Sequence, residues 1–161
     1  MVKSGGTFRI DHPLDPENKY LSHSFVESSD MMNVYNGNVV TDAEGRATIE
    51  LPSYFEALNQ DFRYQLTTIG SFARTMVDRK IESNSFSIQT DEPDVEVSWQ
   101  VTGIRKDVYA EQHRVVPETD KAPEDRGRYL HPAEFGKPLS LRIGAGEPTT
   151  PPEHAAPASS N

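Results

Sequence analysis

The amino-acid sequence predicts a mainly β fold: an antiparallel β-sandwich or barrel-like domain with one or two short helices and an extended C-terminal segment. Seven to nine short segments have strand-like composition or alternation, and turn sequences separate them. Strands and helices do not alternate regularly along the chain, which argues against a parallel α/β sheet. Apolar residues make up 35% of the chain, below the ~45–50% of an average globular domain counted slightly more broadly. We therefore expect a small core.

The clearest strand is predicted over residues 94–104. One face of this segment is apolar and the other is polar, which is the period of two that a half-buried strand requires. The apolar face carries Val95, Val97, Trp99 and Val101, and the polar face carries Glu96, Ser98, Gln100 and Thr102. We expect the four apolar residues to form the structural core.

Weaker strand signals precede this segment. They cover residues 7–10, 20–27, 34–41, 46–51, 62–69, 76–81 and 85–89. Residues 39–51 are predicted to form a β-hairpin whose turn is the sequence Asp-Ala-Glu-Gly. Asn36-Gly37 is predicted to form a turn or bulge. Alternation of leucine and isoleucine over residues 139–143 predicts a short last strand.

Helix signals are few. Ser53 with Glu56 three residues later has the pattern of a capping box, which predicts a very short helix. Residues 107–112 and 132–135 are predicted to form single helical turns.

Proline and aromatic residues are distributed unevenly along the chain. Residues 1–116 contain four of the 12 prolines and 12 of the 14 aromatic residues. We therefore predict a linker over residues 1–6, a β-rich core domain over 7–104, and a segment over 105–143 that packs on the core or on a neighbouring subunit. Residues 144–161 are rich in proline, alanine and serine, and we expect a disordered tail there.

Composition excludes several classes of function. The chain contains no cysteine, so disulfides, thiolate catalysis and cysteine-based zinc sites are excluded. A net charge of −9 argues against nucleic acid and against anionic membrane surfaces as partners. No apolar run reaches the ~18 residues of a membrane span.

No catalytic, cofactor-binding or metal-binding residues are predicted. The five histidines lack a recognised metal-ligand spacing, and we expect His12 and His23 to be structural. Ser22 and Ser24 lie on the strand face opposite His23, which is a poor arrangement for a nucleophile and its base. The many carboxylates read as solvated surface.

Five segments together carry a resemblance to known proteins. They are Gly-Thr-Phe-Arg-Ile-Asp-His-Pro-Leu at 6–14, Leu-Ser-His-Ser-Phe-Val-Glu-Ser at 21–28, Phe-Arg-Tyr-Gln-Leu at 62–66, Val-Ser-Trp-Gln-Val-Thr-Gly-Ile-Arg at 97–105 and Arg-Tyr-Leu-His-Pro at 128–132. Over residues 6–137 the chain resembles the C-terminal domain of long, repetitive bacterial surface or fibre-like proteins. Residues 6–40 and the Trp99 strand are also similar to domains of phage tail fibres.

The resemblance implies a non-enzymatic structural or adhesive terminal domain of a trimeric fibre-like assembly. It also implies an extracellular or virion-associated location and a cell-surface glycan or protein as partner. Arginine and aromatic residues are enriched at interfaces, so the candidate subunit contacts are Arg105, Tyr109, Tyr129 and Phe135. A self-processing or chaperone-like trimerisation domain, cleaved near Gly5-Gly6, is the alternative. A sugar hydrolase or lyase is a third hypothesis.

Overall fold

The computed structural model describes residues 6–144 of the chain. Strands occur at β1 (Thr7–His12), β2 (Asp15–Ser24), β3 (Met32–Val40), β4 (Arg46–Glu50), β5 (Asn59–Ile69), β6 (Thr75–Glu82), β7 (Ser85–Thr90) and β8 (Glu96–Arg105). A short helix, α1 (Phe55–Leu58), precedes β5, and a second, α2 (Val108–Gln112), follows β8. The prediction of a mainly β fold with antiparallel sheets and short helices is confirmed.

Two three-stranded antiparallel sheets form a sandwich-like arrangement. The first sheet has the strand order β3-β8-β5 and the second has the order β4-β7-β6. Strands β1 and β2 form a separate two-stranded sheet, called here the N-terminal hairpin. The core cluster draws its side chains from both three-stranded sheets.

The apolar side of β8 faces this core. Val95, Val97 and Val101 are buried, and Trp99 is partly buried and packs against the cluster. The Trp99 indole lies over Gly37, where an added Cβ would stand 2.8 Å from a ring carbon. Gly37 therefore makes room for the indole within an uninterrupted β3, and the expected turn or bulge at this position does not form.

The hairpin predicted over residues 39–51 is wrong. β3 pairs with β8 and β4 pairs with β7, so the chain crosses from one sheet to the other at this point. Buried Thr41 holds the crossing, because its backbone N–H donates to the Val95 carbonyl at 3.0 Å and its hydroxyl accepts from the Val95 N–H at 3.0 Å. A tight turn then closes where the Gly45 N–H donates to the Asp42 carbonyl at 2.9 Å.

Helix α1 forms where the sequence predicts it, but without the predicted capping box. Its N-cap residue is Tyr54, which makes no side-chain capping bond. Glu56 bonds instead to the turn between β6 and β7: its N–H donates to Asn84 Oδ1 at 2.9 Å, and its carboxylate accepts from the Asn84 N–H. A partner distant in sequence thus replaces the local cap.

The chain divides into two compact units, with the first ending at Pro117 and the second beginning at Glu118. The predicted boundary after residue 104 is earlier than this division. Within the described part of the second unit, 3₁₀ helices occur at Pro123–Asp125, Pro132–Phe135 and Leu139–Leu141.

The strand predicted over residues 139–143 is wrong. Leu141 donates its N–H to the Pro138 carbonyl at 3.0 Å, which closes a 3₁₀ turn in place of extended backbone. Residue 142 makes an isolated parallel bridge with Tyr129. The expected linker and tail lie almost entirely outside the described residues. Within residues 6–144, no helix is long and apolar enough to cross a membrane.

Candidate functional site

The N-terminal hairpin forms a sheet of its own, so side-chain contacts must hold it against the sandwich. A two-stranded hairpin alone is marginally stable in water. Its strands are closed at one end by the Phe25 N–H, which donates to the Gly6 carbonyl at 3.0 Å. At the other end the Leu14 N–H donates to His12 Nδ1 at 3.2 Å, which orders the turn that Pro13 begins.

The hairpin docks on three side chains of the sandwich, Tyr35, Tyr54 and Arg105, called here the hairpin seat. The Arg105 guanidinium lies over the Phe8 ring at 3.9 Å from its centre. The His23 ring makes T-shaped contacts with the rings of Tyr35 and Tyr54 at centroid distances of 5.9 and 6.1 Å. Cation–π and aromatic contacts of this kind stabilise a partly desolvated contact.

A buried ion pair with Asp107 holds the Arg105 side chain of the seat in place. Arg105 donates from Nε and Nη2 to the two carboxylate oxygens of Asp107, at 2.8 and 2.9 Å, and each side chain is 6% exposed. Asp107 also caps α2 by accepting from the Ala110 N–H at 3.1 Å. The expectation that Arg105 lies at a subunit contact is therefore corrected, because its guanidinium is enclosed and paired within the chain.

His23 of the hairpin and Tyr35 of the seat form a neutral pair. Tyr35 Oη and His23 Nε2 are 3.2 Å apart, and His23 Nδ1 is buried without a hydrogen-bond partner. Burial, together with the positive charge of Arg105, lowers the pKa of His23. Burial also raises the pKa of Tyr35 to about 12. This pair joins the hairpin to the sandwich through ring packing and a hydrogen bond.

Two cavities border the hairpin. One, of about 160 Å³, is lined mostly by apolar side chains, including Phe8 and Phe25, with Arg105 as its charged residue. The other, of about 460 Å³, is lined by Pro13 and Pro16 of the hairpin and by Tyr109 of α2. Neither contains a cluster of metal-ligating groups, and within residues 6–144 no group of three such side chains could hold a metal ion.

Of the remaining candidate contact residues, Tyr109 and Phe135 are exposed and Tyr129 is partly buried. Tyr109 is 56% exposed, and its ring stacks on His113 with the centroids 4.2 Å apart. In the second unit, the Tyr129 and Phe135 rings are 5.5 Å apart, and Phe135 is 67% exposed. Their role in subunit contact stays a prediction.

The sheet β3-β8-β5 presents a second candidate surface on the side away from the core. The strand registers place twelve residues there in four rows, called here the polar sheet face. The rows are Val40–Glu96–Ile69, Asn38–Ser98–Thr67, Asn36–Gln100–Gln65 and Val34–Thr102–Arg63. The sequence identified the four polar residues of β8, but their neighbours on β3 and β5 follow only from the register.

The residues of the polar sheet face are mostly uncharged amides and alcohols. Gln100 Nε2 donates to Gln65 Oε1 at 3.3 Å, and Asn38 Nδ2 donates to Glu96 Oε1 at 2.9 Å. The charged residues among the twelve are Glu96 and Arg63. The face can therefore donate and accept hydrogen bonds without carrying a strong field of either sign.

Comparison of the chain with protein-family models, with curated protein sequences and with solved structures finds no match. The structure shows a small sandwich-like arrangement of antiparallel sheets, an N-terminal hairpin docked on it through side chains, and a second compact unit that begins at Glu118.

Proposed function

We propose that this chain is a non-enzymatic structural or adhesive terminal domain of a trimeric fibre-like assembly. The single observation that carries the proposal is the balance between buried and exposed apolar residues. Among the described residues, twelve hydrophobic residues are buried, whereas fifteen large hydrophobic residues are exposed. A chain of this kind gains stability when further apolar surface is covered between subunits.

The distribution of these exposed residues supports association. They occur on the hairpin, on the sandwich and on both sides of the division at Pro117, with Leu14, Phe72 and Phe135 as examples. Single exposed hydrophobic residues are ordinary on a protein surface, but Phe25, Val26 and Val115 lie together around the cavity of about 160 Å³, and contiguous apolar surface marks interaction sites. The resemblance of residues 6–137 to terminal domains of fibre-like proteins points in the same direction.

The docked hairpin supports a structural role over a catalytic one. His23 of the hairpin and Arg105 of the seat are the groups here that could take part in proton transfer or charge stabilisation. Both are used for docking instead: His23 bonds to Tyr35, and Arg105 bonds to Asp107 and lies over the Phe8 ring. A cell-surface glycan or protein is the proposed partner of the assembled domain, and an extracellular or virion-associated location follows from the same proposal.

The mass of the protein in solution tests the proposal. Light scattering at several protein concentrations should give three times the chain mass of 18.0 kDa. The same measurement at high ionic strength should leave the trimer intact, because burial of apolar surface is not screened by salt. A mass of one chain at every concentration would contradict the trimeric assembly.

A further inference from the structure

We infer that the N-terminal hairpin is an acid-sensitive latch, which leaves its seat when His23 is protonated while the sandwich stays folded. The inference concerns a single chain, so it goes beyond the proposed trimeric function and does not depend on it. Three features carry it: the way the hairpin is attached, the link that joins it to the sandwich, and the surroundings of the imidazole.

The hairpin is attached to the sandwich mainly by side-chain packing. Strands β1 and β2 form a sheet of their own. Among the described residues, one hydrogen bond joins these strands to the sandwich, and it is the bond between His23 and Tyr35. Cavities of about 160 and 460 Å³ border the contact, so the packing around it is incomplete. Because no sheet hydrogen bonds have to break, the hairpin can undock without unfolding the sandwich.

The link between the hairpin and the sandwich permits this movement. Residues 25–31 connect β2 to β3 without a helix or strand. Met31 ends the link with a φ of 52°, in the left-handed region that few residues other than glycine adopt. Its carbonyl accepts from the Arg105 N–H at 3.3 Å. The link is therefore anchored at Met31, and a change in direction of residues 25–30 moves the hairpin as one body.

The docked imidazole has no acceptor for a second proton. Its Nε2 lies 3.2 Å from Tyr35 Oη, and its Nδ1 is buried without a hydrogen-bond partner. Both ring nitrogens of an imidazolium are donors, so protonated His23 would bury an unpaired N–H at Nδ1. An unpaired buried donor is unfavourable, and undocking exposes this N–H to water.

The charges next to His23 also oppose its protonation in the docked state. The Phe8 ring contacts both His23, at 5.4 Å between ring centres, and the Arg105 guanidinium, at 3.9 Å from the ring centre. Burial and the positive charge of Arg105 lower the pKa of His23. The carboxylate of Asp107 is engaged already, because both of its oxygens accept from Arg105.

The other polar groups around the imidazole supply no negative charge. Tyr35 and Tyr54 contact the ring, and tyrosine side chains are uncharged at neutral pH and below. His12 contacts Tyr54 at 5.5 Å between ring centres and can only add positive charge in acid. Arg9 and Asp11 lie at the exposed positions that alternate with the docked residues of β1. Protonation of the ring therefore favours the undocked hairpin.

Release gives the domain a second surface in acid. The face of the hairpin that leaves the seat carries Phe8, Ile10 and Leu21, which are buried or partly buried when docked. The seat itself contributes the rings of Tyr35 and Tyr54. Acid thus uncovers aromatic and aliphatic side chains that are covered at neutral pH.

Hydrogen exchange of the parent protein, measured by mass spectrometry, tests the latch between about pH 7.5 and pH 5, where most carboxylates stay ionised. Each exchange rate is divided by the intrinsic rate at the same pH. A released two-stranded hairpin is marginally stable, so amides of β1 and β2 should lose protection about tenfold per pH unit below about 6.5, until the pH reaches the lowered pKa of docked His23. Amides of β3 and β8 should keep their protection. Equal loss in both regions, or constant protection of the hairpin, overturns the inference.

Two histidine variants identify the group that operates the latch. His23→Gln keeps a polar group near the position of Nε2 and does not titrate, so its hairpin should stay protected throughout this pH range. The matched control is His12→Asn, whose Oδ1 can replace Nδ1 as the acceptor for the Leu14 N–H. It leaves His23 as the one histidine of the hairpin, so the loss of protection in acid should persist.

Each result decides for or against His23. If His23→Gln is docked at pH 7.5 and still loses protection in acid, or if His12→Asn abolishes the loss, His23 does not operate the latch. If His23→Gln is undocked already at pH 7.5, the result with His12→Asn decides alone. None of these outcomes depends on the mass of the protein in solution, so the proposed trimer stands or falls separately.

Discussion

Removing the charge of Asp107 is the sharpest test of the hairpin seat. Its carboxylate accepts two hydrogen bonds from Arg105, and both side chains are 6% exposed. Asp107→Ser leaves the arginine cation buried without its partner, and breaking a buried pair in this way costs about 3–5 kcal/mol of the free energy of unfolding. Serine keeps a side-chain oxygen that can accept from the Ala110 N–H, so the cap of α2 survives.

A second variant separates the ion pair from the helix cap. Asp107→Ala removes both, and loss of the cap should lower the free energy of unfolding by a further ~1 kcal/mol. Urea unfolding followed by circular dichroism measures both variants under identical conditions. The matched control is Asp91→Ala, which breaks the Arg74–Asp91 pair at the surface and should have a much smaller effect.

The outcome that would refute this reasoning is specific. If Asp107→Ser is as stable as Asp91→Ala, the buried guanidinium finds water or another partner once the carboxylate is gone. The seat would then be held by its aromatic contacts, with the ion pair contributing little.

Three further predictions concern the core and the seat. Trp99→Ala should lower the free energy of unfolding by about 3 kcal/mol, because the indole fills the space above Gly37; a melting temperature close to that of the parent would contradict this. The pKa of His23 is lowered in the folded protein. The free energy of unfolding should therefore be highest above the unfolded pKa of about 6.5 and fall as pH decreases below it. In urea titrations His23→Gln should flatten this pH dependence, whereas the surface variant His113→Gln should not. The pKa of Tyr35 is raised to about 12, so tyrosinate absorbance should show a late component in alkali that Tyr35→Phe removes and Tyr109→Phe keeps.

The fold class and the central strand could be predicted from sequence because they depend on local patterns. The alternation from Val95 to Val101 requires one buried face whatever the neighbouring strands are. The pairing of strands was not predictable in the same way. The turn at Asp42–Gly45 favours a hairpin locally, but Thr41 and Val95, far apart in sequence, bond to each other and direct the chain into the second sheet.

The candidate site was predicted less well because its parts come from distant segments. The sequence places Arg105 among the candidate subunit contacts, because its burial depends on Asp107 and on a hairpin that ends some 80 residues earlier. The capping box failed for the same reason, as Glu56 bonds to Asn84. The polar side of β8 was visible in the sequence, but the amides beside it on β3 and β5 required the register.

The register of β3 against β8 also decides how the sandwich responds to pulling. Met32 pairs with Ile104, so the chain enters and leaves the sandwich at the same end. Tension between these two points would break the hydrogen bonds of the pair one after another, as in a zipper, and would need little force. The loops that follow β3, β5 and β7 lie at the opposite end, where Phe72 is fully exposed. Force applied at the loop that follows β7 and opposed at Met32 would pull β8 and β3 in opposite directions along their length. All the hydrogen bonds between the two strands would then be loaded together, so this direction should resist force more strongly.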